Sequence, residues 1–409
     1  MTGAEERTSH WNESPLDFNL RHDAEIIRGP VEWSLDVTNE CVGACLHCFN
    51  RSGFVGRDEL TNDEMISVAR QIGSLGPLGV CLCGGEPLLR LDLVCDLASI
   101  MGTAGTSVSL VTNGMLMTES VAARLKRAGL QSIQVSLDGA RAETHERLRV
   151  VPGSFESAVT AIKILRSADF HVGVAFSPTS FNISEFREVY QLCRSLGVSE
   201  LRAQPLMPLG ECNLHYDLSP TEAQYDDLVL EYKRIALGPD PGLKVEWGDP
   251  VDHLIRFAQF YMMVPYNMHV TADGFLVPTV YLPVQLGNVK RHTLNEYWAA
   301  GLNKAWQVPI IREMAYRIRC NRDFRFVRPH PNFEAHIDYD LIDRTPEEKE
   351  LMTRTVLEFI ERFDRFRGRP TSLRGWKPRS RAVRRFTSAL LGDAPPPAGP
   401  ETADGTGTA

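Results

Sequence analysis

The sequence predicts an α/β protein organised around a parallel sheet. Six short apolar or β-branched runs alternate with amphipathic helical patterns between residues 30 and 206. Strands that alternate with helices in this way form parallel sheets with right-handed crossovers. Cysteine-rich, glycine-rich and polar segments follow the first four runs directly. Because chemistry in parallel α/β barrels lies at the carboxyl ends of the strands, these segments are expected to form one site.

The strands and helices are predicted from periodicity and from end signals. Thr61 and Asp63 begin an amphipathic helix that Gly76 and Pro77 end, and the next run, 79–87, is an apolar strand. The other predicted helices lie at 118–129, 154–168 and 184–196. The other predicted strands lie at 30–38, 106–114, 131–139, 171–177 and 200–206.

The first strand leads into the cysteine-rich segment CVGACLHC. Cys41, Cys45 and Cys48 can reach one metal centre only if the backbone wraps around it, and the small residues Gly43 and Ala44 allow that. Soft thiolates select zinc, copper(I) or iron–sulfur clusters. A structural zinc site would need a fourth ligand from a second paired knuckle, and the sequence has no second CxxC. Three cysteines are one fewer than an all-protein four-iron cluster needs, which leaves one iron open.

With His47 directly before the third cysteine, this segment resembles the CxxxCxxC signature of the radical S-adenosylmethionine (SAM) enzymes. The resemblance implies a partial, six-stranded TIM-like barrel, (β/α)6, and one 4Fe–4S cluster whose open iron binds SAM. In that family an electron from the cluster cleaves SAM, and the resulting 5′-deoxyadenosyl radical abstracts a hydrogen atom from the substrate. The protein holds the cofactors and excludes side reactions. A low-potential electron donor of the flavodoxin or ferredoxin type is implied as a partner.

The second strand ends in Gly84-Gly85-Glu86-Pro87, about 40 residues after the cysteines. Glycine allows the backbone to approach a ligand closely. The segment resembles the radical SAM motif that contacts the SAM amino group, which implies that these four residues lie at the cofactor. Cys83 precedes them, and a thiol there could return a hydrogen atom to a substrate radical. The alternative for this cysteine is a small core residue.

The third and fourth strands end in two further polar segments, Thr-Asn-Gly and Ser-Leu-Asp-Gly. By themselves, both are common turn sequences. In the family, residues at these positions hydrogen-bond the ribose and the carboxylate of SAM, which implies that role for Thr112, Asn113 and Ser136. A cation near the SAM carboxylate is also implied. Arg149 is the candidate, with a solvated surface arginine as the alternative reading.

Residues 267–298 have the pattern of a hairpin that turns at an Ala-Asp-Gly segment and is followed by a helix. This framework resembles the start of the SPASM or twitch domain, an α+β extension that follows the barrel in many radical SAM maturases. Family members place a cysteine directly after the hairpin proline, where this chain has Thr279, and further cysteines downstream, where it has only Cys320. One thiolate cannot hold a 4Fe–4S cluster, so the sequence predicts an extension without auxiliary iron.

The chain is divided into five predicted segments. The N-terminal lead-in and the proline-rich tail contain little to bury and are predicted to be flexible or disordered. Ser219 is predicted to cap the first helix after the barrel. The segments are 1–29 (lead-in), 30–215 (barrel), 216–345 (SPASM/twitch-like extension), 346–392 (basic helical extension) and 393–409 (disordered tail).

Composition argues against several other classes of protein. The 409 residues are 43% hydrophobic and 23% charged, as in an ordinary globular protein. The net charge of −8 argues against a nucleic-acid binder. No apolar run is long enough for a membrane span, and the acidic N-terminus does not have the pattern of a signal peptide. Nine cysteines, an odd number, and a set of clustered thiolates indicate a reducing compartment, and we expect the cytoplasm.

The resemblance favours an enzyme that matures a ribosomally made peptide or another natural product. Only 29 residues precede the first predicted strand, so we expect a separate leader-peptide-binding protein as a partner. Two alternatives stay open. One is epimerisation, rearrangement or dehydrogenation of a small sugar-type or aminocyclitol-type molecule, and the other is a catalytically degenerate binding scaffold. Because no auxiliary cluster is expected, hydrogen transfer without net oxidation is favoured over oxidation.

Overall fold

The computed structural model describes residues 28–53, 58–238, 243–260, 265–326 and 337–366. Most of the predicted lead-in, the later part of the basic extension and the predicted disordered tail lie outside these residues. Within the described ranges, no helix is both long and apolar enough to cross a membrane.

A largely parallel sheet forms the centre of the fold. Its strands and those of a small second sheet are, in chain order, β1 (Glu32–Asp36), β2 (Gly79–Cys83), β3 (Ser107–Thr112), β4 (Ser132–Ser136), β5 (His171–Phe176), β6 (Glu200–Ala203), β7 (Lys244–Trp247), β8 (Asn267–Val270), β9 (Phe275–Val277), β10 (Val284–Gln285), β11 (Gly287–Asn288) and β12 (Ile337–Asp338). β1 to β7 pair in parallel in chain order, and β8 pairs in parallel with the free edge of β1. β9 and β11 extend this edge as antiparallel strands, and β10 pairs with β12.

Helices connect the parallel strands and cover one face of the sheet. The described helices are α1 (Asn62–Leu75), α2 (Leu91–Thr103), α3 (Glu119–Arg127), α4 (Ala142–Arg149), α5 (Ser154–Ser167), α6 (Phe186–Ser195), α7 (Glu222–Ala236), α8 (Pro250–Phe260), α9 (Leu294–Ala299), α10 (Pro309–Arg317) and α11 (Pro346–Phe366). The ends of α1 follow the predicted signals. Thr61 and Glu64 form a reciprocal capping box, and Gly76 ends the helix in the left-handed region with φ 68°.

Side chains alternate between the two faces of the parallel strands. On the helix-covered face, Trp33 and Leu35 are at most 1% exposed and belong to the hydrophobic core. Successive side chains of a strand point to opposite faces, so the strand register places the half-buried Ser34, Cys81 and Ser109 in one row on the other face. We call this polar face the inner wall. It includes Ser34, Asp36, Cys81, Cys83, Ser109, Gln134, Ser136, Arg202 and His269.

The predicted parallel sheet and its six strands are confirmed, and each strand is shorter than the predicted run because residues at the ends of the run lie in the connecting segments. Two further strands flank these six in the sheet, β7 next to β6 and β8 next to β1. The sequence missed β7, and it predicted β8 as a hairpin strand outside this sheet. The predicted hairpin is present as β8 and β9, where His269 pairs with Val277 and Val270 pairs with Leu276. This hairpin continues the barrel sheet, although the sequence assigns it to a following extension.

The predicted N-cap of α7 is wrong by two residues. Thr221, and not Ser219, directly precedes the helix. The Gln224 N–H donates to the Thr221 hydroxyl oxygen at 3.2 Å, and the Thr221 N–H donates to the Gln224 side-chain oxygen at 2.9 Å. This reciprocal pair satisfies two N–H groups at the helix start, which favours Thr221 as the cap.

Candidate active site

The cysteine loop leaves β1 and is tied to the glycine-rich turn after β2. The Gly85 N–H donates to the Thr38 carbonyl oxygen at 2.7 Å, and the Glu86 N–H donates to the Glu40 carbonyl oxygen at 2.8 Å. A Cβ atom on Gly85 would lie 2.1 Å from the Glu40 oxygen, and one on Gly84 would lie 2.4 Å from the Thr38 oxygen. Glycine is therefore required at both positions because the two backbones touch. The sequence predicted that these glycines allow the backbone to approach a ligand. In the structure they allow it to approach the backbone of the cysteine loop.

N–H groups point at the sulfur atoms of the loop. The Gly43 N–H lies 3.4 Å and the Asn113 side-chain amide 3.8 Å from Cys41 Sγ. The Ser52 N–H lies 3.4 Å from Cys48 Sγ. Hydrogen bonds of this kind favour the charged form of the acceptor, and the thiolate is the form that binds metal. The loop is thus arranged to stabilise negative charge on its sulfurs.

A buried ion pair lies beside the second cysteine of the loop, Cys45. The Arg149 guanidinium donates to Asp138 Oδ2 through Nε and Nη2, both at 2.6 Å, and its Nη1 lies 3.7 Å from Cys45 Sγ. Asp138 is fully buried, and its second oxygen accepts from the Ser177 N–H at 2.9 Å. Burial is the largest single effect and acts to raise the pKa of Asp138, but the guanidinium, two neighbouring histidines and the Ser177 N–H together lower it. The pair therefore fixes a positive charge beside the cysteine loop.

Burial also opposes ionisation of the loop thiols, and here it dominates. It raises the pKa of Cys41 to about 11 and is the main cause of the raised pKa of Cys45. The Gly43 N–H and the Arg149 guanidinium act against these increases. The remaining cost of ionising the thiols is of the kind that a bound cation offsets, since a coordinating thiol is deprotonated by the metal.

His47 lies next to this ion pair. Its Nε2 is 3.4 Å from Asp138 Oδ2, and burial lowers the pKa of His47 to about 4. Its Nδ1 is buried and has no hydrogen-bond partner among the described residues. A buried polar atom without a partner is costly unless a bound group supplies one.

Glu86 is a fully buried carboxylate that receives three hydrogen bonds. Its Oε1 accepts from the Thr112 hydroxyl at 2.9 Å and from the Leu88 N–H at 3.1 Å, and its Oε2 accepts from the Asn113 N–H at 2.9 Å. Burial raises the pKa of Glu86, while these donors act in the opposite direction. Glu86 thereby joins the ends of β2 and β3 and, through Asn113, reaches Cys41.

Comparison with known proteins identifies the family. Residues 35–193 match the family model of the Radical SAM superfamily. The AdoMet-dependent heme synthase of Methanosarcina barkeri is 30% identical over 288 residues, which cover 66% of this chain and 81% of that protein. The chain belongs to the radical SAM superfamily. The mycofactocin maturase MftC of Mycobacterium tuberculosis is 32% identical over 232 residues, which cover 55% of this chain and 58% of that protein.

A solved structure has the same fold. Streptococcus suis SuiB bound to precursor peptide SuiA superposes with a TM-score of 0.55 at 15% identity, over 68% of this chain and 66% of that chain. The partial TIM-like barrel that the resemblance implied is therefore confirmed. The relatives are SPASM/twitch-type members of the superfamily, which confirms the predicted branch.

Radical SAM enzymes use a 4Fe–4S cluster and SAM, and these are the cofactors of this enzyme. The described residues fit the cluster. Cys41, Cys45 and Cys48 lie in one loop, each sulfur has an N–H donor, and Arg149 adds a fixed positive charge. The unpartnered Nδ1 of His47 is a further polar atom that a bound group could satisfy.

The structure brings most of the predicted site residues together at the carboxyl ends of the parallel strands. Hydrogen bonds link Glu86, Thr112, Asn113 and Cys41, while Arg149 reaches Cys45. The other predicted positions adjoin this network: Ser136 ends β4 on the inner wall, Pro87 begins a short helical turn, and Cys83 ends β2. The roles of these residues toward SAM stay predictions.

Two residues that hold the site were missed in the sequence. Asp138 fixes Arg149, and its position in the Ser-Leu-Asp-Gly segment after β4 was the available signal. Arg90 donates to the Val37 carbonyl oxygen at 2.6 Å, to the Leu60 carbonyl oxygen at 3.2 Å and to a side chain on α1. No local pattern marks Arg90, because its partners lie 28 or more residues away along the chain.

The position where the family has a cysteine holds a buried hydroxyl. Thr279 is 6% exposed, and its Oγ1 accepts from the Tyr281 N–H at 3.3 Å. Cys320 is half-buried, and its N–H donates to Asp323 Oδ2 at 3.2 Å. An extension without auxiliary iron stays a prediction.

Replacing Glu86 by glutamine is expected to weaken SAM binding by roughly tenfold or more while the iron content stays unchanged. The loss of a charge-assisted contact to the SAM amino group is worth about 1.5–3 kcal/mol, and 1.4 kcal/mol is a factor of ten. The new amide N–H2 would also face a donor, Thr112, Leu88 or Asn113, and would disturb the turn. Calorimetric titration of SAM into the reconstituted protein measures this.

Glu185→Gln is the matched control. Glu185 is also a buried carboxylate with several donors, among them the Ala140 N–H at 3.0 Å and the Thr144 hydroxyl at 2.6 Å. These donors lie outside the cysteine loop, so the Glu185 variant should bind SAM normally. Unchanged SAM affinity in Glu86→Gln would remove Glu86 from the cofactor site.

Proposed function

We propose that this enzyme abstracts a hydrogen atom from a polypeptide during maturation of a ribosomally made natural product. The observation that carries the proposal is the polar inner wall. Seven of its side chains are half-buried on the face opposite the helices: Ser34, Cys81, Cys83, Ser109, Gln134, Ser136 and Arg202. Hydroxyl, amide and guanidinium groups at such positions suit a substrate that carries its own backbone amides.

The residues around the cysteine loop have distinct tasks in this proposal. Cys41, Cys45 and Cys48 would hold the cluster, which supplies the electron that cleaves SAM. Arg149, held by Asp138, balances the negative charge of the loop. Glu86, Thr112, Asn113 and Ser136, together with the backbone of Gly84, Gly85 and Pro87, would orient SAM between the loop and the inner wall. A low-potential protein of the flavodoxin or ferredoxin type would deliver the electron.

A second candidate substrate is of the haem type. It is favoured by the relative that is named a heme synthase and is matched over 81% of its length. A flat and largely apolar ring system requires an apolar pocket, whereas the inner wall presents mainly polar groups. The relative named a maturase, at 32% identity, agrees better with the polar wall. We therefore propose a peptide, and not a porphyrin, as the first candidate for the substrate.

The test uses the reduced, reconstituted enzyme with SAM under anaerobic conditions. Short peptides encoded near its gene and an iron porphyrin are compared as substrates. A peptide is expected to raise the rate of 5′-deoxyadenosine formation and to change in mass, and Cys45→Ala is the inactive control. Stimulation by the porphyrin alone would favour the second candidate. A wild-type enzyme that forms no 5′-deoxyadenosine would favour the binding-scaffold alternative.

The overall reaction is expected to be redox-neutral. Thr279 and the lone Cys320 give the extension one thiol in place of the several that an auxiliary cluster needs. A substrate radical would then be quenched by a hydrogen atom or rearranged, and the product would keep the mass of the substrate. In D2O, quenching from an exchangeable donor adds one deuterium. A product two hydrogens lighter, formed without an external oxidant, would show that this expectation is wrong.

A further inference from the structure

Three potential metal ligands from different strands meet on the inner wall. Asp36 ends β1, Cys83 ends β2 opposite it in register, and His269 lies on β8 opposite Ser34. His269 Nε2 lies 2.8 Å from Asp36 Oδ2, and the Cys83 thiol lies 3.4 Å from Asp36 Oδ1. The three ligating atoms are all within 4.8 Å of one another. They form a compact set of one nitrogen, one sulfur and one oxygen donor.

Two members of this set are buried as a pair. Asp36 and His269 are each only 5% exposed, and their contact at 2.8 Å offsets part of the cost of withdrawing a carboxylate and an imidazole from water. Buried groups of these types are paired or coordinate a metal. Thiolate, imidazole and carboxylate are the ligands that zinc accepts. Catalytic zinc sites use three protein ligands and keep a fourth position open.

We propose that Asp36, Cys83 and His269 bind one zinc ion on the inner wall, separate from the iron–sulfur cluster. Cys83 directly precedes the glycine-rich turn, so the site borders the region assigned to SAM. Its open position suits a carbonyl or carboxylate oxygen of the substrate, which a zinc ion polarises as a Lewis acid. The proposal goes beyond the peptide function and does not depend on which substrate class is correct.

The assignment gives Cys83 a definite chemical state. A zinc-bound cysteine is a thiolate and carries no S–H hydrogen. The metal-ligand role and the hydrogen-donor role that the sequence suggests therefore exclude each other while zinc is bound. The contact with Asp36 and the presence of His269 within 4.8 Å favour the ligand role, since a hydrogen donor needs neither of them.

The experiment begins with enzyme whose cluster is fully reconstituted, so that the cysteine loop is occupied by iron. Zinc chloride is added, free metal is removed by dialysis, and zinc is counted by mass spectrometry. About one zinc ion per chain is expected. Absorption at the zinc K-edge is specific for zinc in the presence of iron. It should give at least one sulfur ligand at about 2.3 Å and nitrogen or oxygen ligands at about 2.0–2.1 Å.

Variants locate the site. Cys83→Ser and His269→Gln should each weaken zinc binding by at least about tenfold, because loss of even a supporting residue typically costs that much. Cys95→Ser, a half-buried thiol on α2, is the matched control and should keep zinc. The variant with alanine at Cys41, Cys45 and Cys48 should also keep zinc, since the proposed site does not use the loop.

Three results would overturn the proposal: no zinc retained by the reconstituted wild type, no sulfur ligand in its zinc spectrum, or zinc lost only when the loop cysteines are removed. The wild-type measurements keep the proposal falsifiable even where a variant fails to fold. SAM cleavage is assayed on the same samples. A wild type that cleaves SAM but retains no zinc would refute the zinc site and leave the proposed function standing. A wild type that retains zinc but cleaves no SAM would refute the proposed function and leave the zinc site standing.

Discussion

Alanine at Cys41, Cys45 and Cys48 is expected to remove all cluster iron and to abolish SAM cleavage. The wild type should bind about four irons per chain after anaerobic reconstitution, because three thiolates hold one 4Fe–4S cluster and leave one iron open. The structure places these thiols in one loop that is hydrogen-bonded to the turn after β2. Iron and sulfide analysis, together with 5′-deoxyadenosine formation, measures the effect.

Cys193→Ala is a suitable control for this experiment. Its thiol is fully buried on α6, away from the cysteine loop, so the variant should keep about four irons. Recovery of about eight irons in the wild type would contradict the prediction that the C-terminal extension lacks auxiliary clusters. Iron that persists in the triple variant would contradict the assignment of the loop.

Replacing Asp138 by asparagine is expected to lower the free energy of unfolding by about 3–5 kcal/mol, because it breaks a buried ion pair from one side. The Asp138 side chain is fully buried and that of Arg149 is 12% exposed, so the guanidinium would lose its counter-ion without gaining water. Arg149 Nη1 also lies 3.7 Å from Cys45 Sγ, so the variant should release iron more readily. Urea unfolding and the rate of iron loss to a chelator measure the two effects.

A surface ion pair provides the control for the Asp138 variant. Asp252 and Arg256 pair one turn apart on α8, where the arginine side chain is 48% exposed. Pairs of this kind contribute about 0–1 kcal/mol, so Asp252→Asn should hardly change the unfolding midpoint. The double variant Asp138→Leu, Arg149→Met should recover part of the lost stability, since an apolar pair leaves no buried charge. Equal destabilisation by Asp138→Asn and Asp252→Asn would contradict the conclusion that the buried Asp138–Arg149 pair matters more to stability than the surface pair.

The sequence by itself determined the fold class and predicted which cysteines hold the cluster. Strand and helix periods are local properties of the chain, so alternating β and α patterns were enough to predict the parallel sheet. The three cysteines lie within one loop, and their spacing was enough to predict a metal centre. Because the carboxyl ends of parallel strands share one side of the sheet, the glycine-rich and polar strand ends could also be placed there.

Only the tertiary structure decided which side chains support that site and what else the inner wall contains. Arg149 and Cys45 are 104 residues apart, and His269 and Asp36 are 233 residues apart. Contacts of that range depend on strand order and register, which no local period encodes. β8 shows this most clearly: its pairing with the free edge of β1 brings His269 to Asp36, whereas the sequence assigned the same strand to a separate extension. The meeting of these two side chains therefore follows from the strand order of the sheet, and not from any motif in the chain.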